Sequence, residues 1–85
     1  MREYGELLQV MRSAAKNEVL FEDFFLGLTT PYERKVLARR VQIIKRLLAG
    51  ETQHEIAQDL HIGVSTVTRG ARELSRGRFK ILGKL

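Results

Sequence analysis

Residues 63–70 read GVSTVTRG, and Arg72 and Arg76 follow Arg69 at helical spacings of three and four. Ser65, Thr66 and Thr68 carry hydroxyls on short side chains, and Val64 is compact and apolar. Such a surface suits one kind of chemistry. A helix whose first turn is low enough to sink into the major groove can bring hydroxyls to base edges, phosphates or bridging water. Its exposed N–H groups also favour a phosphate. As helix material the run is poor, because Val and Thr lose rotamer freedom and an interior Gly costs roughly 1 kcal/mol against Ala. In isolation, these hydroxyls are more simply surface polars or local caps. What surrounds them decides the reading.

The frame is bihelical. Thr52 and Glu55 form a capping box that opens a helix over about 53–60, and Gly63 caps a second from Val64 to about Ser75. Ala57 is small enough to let the two helices approach, and Ile56, Leu60, Ile62 and Val67 have the spacing to fill the wedge between them. This is a helix-turn-helix pattern. Within it, beside Arg69, Arg72 and Arg76, the nucleic-acid reading of Ser65, Thr66 and Thr68 prevails.

Upstream the chain reads as helix punctuated by caps. Tyr4, Leu7, Leu8, Met11 and Ala15 predict a first helix over about 3–16, and Leu20, Phe21, Phe24, Phe25 and Leu28 a short apolar one over 18–28. The phenylalanines are expected in the core. TTPYE supplies Thr30 as N-cap, Pro31 at the first helical position and Glu33 closing a capping box. That helix runs through Val36, Leu37, Val41, Ile44, Leu47 and Leu48 to Gly50 as C-cap. RGRFKILGKL, broken by Gly77 and Gly83, allows only a short terminal helix. The fold class is all-α.

Composition narrows the function. With 85 residues the chain makes one small domain. It has no cysteine, so disulfides, thiolate metal sites and cysteine nucleophiles are excluded. Two histidines seven residues apart without clustered carboxylates make a weak metal case, and no apolar run approaches membrane-spanning length. The N-terminal region lacks a signal peptide's apolar core, which predicts a cytoplasmic protein. Ser65 and His61 lack the partners a catalytic site needs, so no enzyme is expected. The net charge of +5 is unevenly spread: residues 1–33 carry three basic and six acidic side chains, 34–51 six and one, and 69–85 six and one. The two basic blocks read as a surface for a polyanion.

Two residues stand outside that account. Arg40 lies on a largely apolar helix next to Leu37 and Val41, expected to face inward, and Gly70 sits mid-helix where Ala would serve better. Either Arg40 is a snorkelling surface arginine and Gly70 a packing glycine, or something approaches both.

Over about residues 4–76 the chain resembles the tryptophan operon repressors, most specifically in LTTPYERKVLARRVQIIKRLLAGE and GVSTVTRG. The resemblance implies an intertwined all-helical homodimer. Residues 1–50 would form its helical dimerisation core, 52–75 the helix-turn-helix and 76–85 a short tail. It implies no cofactor beyond L-tryptophan, a corepressor whose binding orients two reading heads on double-stranded, palindromic operator DNA. Thr30 matches the threonine at the ligand carboxylate. Arg40 and Arg69 match the arginines on the two faces of the indole, and Gly70 the glycine beside it. For DNA, Gln53, Val64, Ser65, Thr66 and Thr68 match groove and phosphate contacts, with Arg69, Arg72 and Arg76 adding charge.

The departures are informative. Glu73 replaces a serine near the ligand ammonium, where a carboxylate could pair with that group. His54 replaces a basic, guanine-reading residue. His61 takes the turn position usually held by Gly, where a left-handed backbone costs a non-Gly residue roughly 1–2 kcal/mol. The segment after residue 76 is short for the family's last helix. Two other readings remain: a helix-turn-helix regulator with a different effector or none, and an adaptor docking acidic proteins on its basic faces.

Overall fold

The computed structural model describes residues 2–85, which contain five α-helices and no strand. They are α1 (Arg2–Ala14), α2 (Glu18–Leu28), α3 (Pro31–Leu48), α4 (Gln53–Leu60) and α5 (Val64–Ser75), followed by a 3₁₀ helix at Lys80–Lys84. The chain is all-α, as its pattern predicts. Among the described residues, no helix is long and apolar enough to cross a membrane. Two compact units are present, Met1–Arg34 and Lys35–Leu85.

In the first unit, α1 ends earlier than its apolar spacing suggests. Asn17 leaves the helical region at φ −137° and ψ 120°, and its side chain accepts the Leu20 N–H at 3.0 Å, so the chain stops one helix and caps the next. At the other end of α2 the Thr29 hydroxyl donates to Phe25 O at 2.7 Å. Arg34 Nη1 then donates to Thr29 O at 2.7 Å and Leu26 O at 3.3 Å, satisfying carbonyls the helix end leaves open. Within the single chain Phe21, Phe24 and Phe25 are half-buried, and α1 and α2 contain no buried residue. Two helices of 13 and 11 residues offer too little area to enclose a ring. Phe21 and Phe25 instead stack on each other, centroids 6.3 Å apart.

The second unit has the core. Ile43, Ile44, Ile56, Ala57 and Val67 are buried, with Leu47, Leu60 and Ile62 packed around them. Each fully buried aliphatic side chain contributes roughly 1.5–3 kcal/mol. Ile56 and Val67 fill the wedge of the bihelical unit as their spacing predicts, small Ala57 is buried between the helices, and Leu60 and Ile62 are only partly buried. On α3 the buried stripe is shifted from the expected one. Leu37 and Val41 remain 38% and 40% exposed, whereas Ile43 is 2% exposed. The bihelical unit covers only the C-terminal turns of α3, so burial there follows that contact and not the helix's whole apolar face.

Three helix ends in this unit share one device. At α3, α4 and α5 a left-handed residue, Gly50, His61 and Gly77, donates its N–H three residues back while the next residue donates five back. This is the Schellman arrangement, which normally takes Gly. His61, at φ 56° and ψ 47°, adopts it despite its side chain. Phe79 is also left-handed, at φ 65°.

Candidate functional site

The second unit contains a cleft of about 410 Å³ between α3 and α5. Its floor is Ile43 and Ile44, and its walls are Arg40 of α3, Ser65, Thr66, Arg69, Gly70 and Glu73 of α5, and Phe79 beyond the helix. The volume is in the range of small-molecule sites. Arg40 and Arg69, from different helices, thus line one cavity together with a carboxylate. A flat, apolar molecule bearing both a carboxylate and an ammonium would find a chemical partner for each part.

Gly70 has a direct structural cause. A Cβ at this position would lie 3.1 Å from Ile44 Cδ1 and 3.4 Å from Ile43 Cγ2. The missing side chain lets α5 settle against α3, which brings Arg69 and Glu73 to the same cleft as Arg40. The approaching group foreseen at Gly70 is therefore, at least in part, α3 itself.

Glu73 is already engaged. Its carboxylate accepts from Arg76 Nη1 at 2.8 Å and lies 3.8 Å from Arg78 Nε. Arg76 is thereby partly neutralised. Thr30 lies in the first unit, where its hydroxyl accepts the Glu33 N–H at 3.1 Å and its own N–H donates to Glu33 Oε1 at 2.8 Å. The Thr30 backbone, then its side chain, hold the Glu33 carboxyl below the usual glutamate range.

The helix-turn-helix presents the other candidates. His54, Val64, Ser65, Thr66, Arg69, Arg72 and Arg76 are exposed, and Gln53 and Thr68 half-buried. The Thr68 hydroxyl reaches Gln53 Oε1 at 2.6 Å and Val64 O at 3.0 Å, tying the start of α4 to the second turn of α5. The two residues act on each other as well as facing outward.

The basic block at 34–51 is less of a polyanion surface than its charge count suggests. Arg34 serves the end of α2, and Arg39 Nη1 donates to Leu60 O at 2.8 Å, closing the end of α4. Arg46 donates at 2.6 Å to both Glu51 and Asp59, pinning α4 to α3. Lys35, Arg40 and Lys45 remain exposed. Composition counts charges; only geometry separates those already paired.

Two cleft residues escaped sequence reasoning. Ile43 precedes Leu47 by one helical turn, a spacing that could have revealed it. Phe79 had no such signal beyond being the one aromatic residue of a basic tail.

The family model described as Trp repressor protein matches residues 2–81. The chain belongs to the Trp repressor family. Among similar proteins, a Trp operon repressor homolog of Vibrio campbellii is 38% identical over 74 residues, covering 86% of this chain and 73% of that protein. The homolog of Vibrio cholerae is 40% identical over 73 residues, covering 85% and 70%. That of Aliivibrio fischeri is 52% identical over 74 residues, covering 84% and 68%. The Trp repressor match spans both compact units and includes every residue of the cleft.

Proposed function

We propose that the chain is a trp operon repressor, a transcription regulator and not an enzyme, that binds palindromic operator DNA as a homodimer with L-tryptophan as corepressor. The observation that carries this reading is the meeting of Arg40 and Arg69 at one cleft. Guanidinium groups on an indole ring are worth roughly 1–2 kcal/mol each when desolvated. Arg69 holds the carboxylate and Glu73 the ammonium, and Gly70 lets α5 lie close enough to α3 for both to reach the ligand. Since α5 carries both Arg69 and the groove-facing Ser65 and Thr66, a ligand between α3 and α5 sets the angle at which α5 meets the duplex. Gln53, His54, Val64, Ser65, Thr66, Thr68, Arg69, Arg72 and Arg76 make the DNA contacts.

Calorimetric titration of L-tryptophan, followed by an operator gel shift with and without it, tests the proposal. Saturable heat and tryptophan-dependent retardation are expected. A folded dimer giving no heat at millimolar ligand removes the corepressor.

The Glu73–Arg76 pair favours a second reading, in which the effector is different or absent. Operator affinity indifferent to tryptophan would select it. Binding should weaken steeply with salt in either case, because counterions are released along the duplex. Indifference to all duplexes, with affinity for acidic proteins, is the outcome that would favour an adaptor.

A further inference from the structure

The cleft has a wall that the two arginines and the glycine do not explain. Phe79 lies beyond α5, yet it lines the same cavity as Arg40 and Arg69. Its position is set by the way α5 ends. Gly77 turns left-handed, and Gly77 N–H donates to Leu74 O at 3.0 Å while Arg78 N–H donates to Glu73 O at 3.1 Å. Phe79 is then itself left-handed, and its carbonyl accepts the Leu82 N–H at 3.0 Å. A bulky residue in that region is a marked outlier. Two reversals in three residues fold the tail back towards the cleft. The residue as a whole is 37% exposed, so part of its surface stays open beside the cavity.

We infer that Phe79 is a specificity-determining residue of the effector cleft, selecting a flat aromatic side chain over an aliphatic one. The inference rests on the proposed ligand site and adds a residue to it. The two guanidiniums recognise charge and ring faces, but an arginine's methylene stem also packs along an aliphatic chain. An aromatic wall discriminates further, because ring–ring contacts favour offset or edge-to-face partners.

The test uses the whole chain, with L-tryptophan and L-leucine titrated into wild type, Phe79→Ala and Phe79→Tyr. The chain contains no tryptophan, so indole fluorescence reports the ligand alone. Phe79→Ala should bind L-tryptophan about tenfold more weakly, or about 1.4 kcal/mol, with L-leucine nearly unchanged; Phe79→Tyr should stay within about twofold of wild type. Bound indole protons should show ring-current displacement in wild type that Phe79→Ala abolishes. Wild-type selectivity in folded Phe79→Ala, or tighter tryptophan binding, overturns the inference while leaving the ligand site standing. Absence of tryptophan binding in folded wild type overturns both.

Discussion

Gly70 and Ile44 meet so closely that a single added carbon at 70 would stand 3.1 Å from Ile44 Cδ1. Ile44 is 1% exposed, so its Cδ1 has little room to give way. Two effects therefore compete in Gly70→Ala. Helix propensity favours Ala by about 1 kcal/mol, while overpacking a closed core costs about 1–3 kcal/mol. We predict a net loss of about 1 kcal/mol in urea unfolding. Ile44→Val removes the opposing Cδ1, so the double variant should be more stable than the summed single losses by about 1 kcal/mol. Strict additivity would show that the contact is not what keeps Gly at 70.

His61 makes the turn of the reading head in a conformation that Gly50 and Gly77 adopt elsewhere in the same unit. Removing its side chain relieves left-handed strain, offset by the greater freedom Gly has when unfolded. His61→Gly should stabilise by about 1 kcal/mol and raise Tm. His61→Ala keeps the strain and should give no such gain. Equal effects of the two substitutions would point to the ring and not to the backbone.

Acid should loosen the capping boxes. The Thr52 side chain first, then its backbone, with Arg46 as a smaller contribution, lower the Glu55 pKa against a weak opposing desolvation. A carboxyl lowered in the folded state contributes stability that is complete above its unfolded pKa and lost as pH falls through the folded one. Glu33 behaves alike. Wild type should therefore lose stability as pH falls below about 5, and Glu55→Ala, already weaker at neutral pH, should lose less on the same acidification. Parallel pH profiles for the two proteins would dismiss the coupling.

Thr66 and Arg69 both line the cleft, yet the proposed mechanism gives them different tasks. Thr66→Ala should weaken specific operator binding about tenfold, the range expected for one lost base contact, while tryptophan affinity stays within about twofold. Arg69→Ala should weaken both by about tenfold or more, because it joins ligand to reading helix. Gel shifts and calorimetry on the same preparations separate the two. If each variant behaves like wild type in both assays, the assigned roles are wrong.

Much of the fold was legible in the chain because helix ends are local events. Thr30 with Glu33 and Thr52 with Glu55 each close a box within four residues, and both boxes form as their types require. The bounds of α4 and α5 and the wedge of Ile56, Ala57 and Val67 follow from such short-range chemistry and from period. Tertiary structure decided what depends on distant partners. Arg34, Arg39 and Arg46 looked like free charge until their acceptors, five to twenty-one residues away, came into reach. The packing of Gly70 on Ile44 and the return of Phe79 to the cleft likewise arise from contacts between segments. Propensity and capping act within a turn, whereas a cleft exists only where separate helices have excluded water between them.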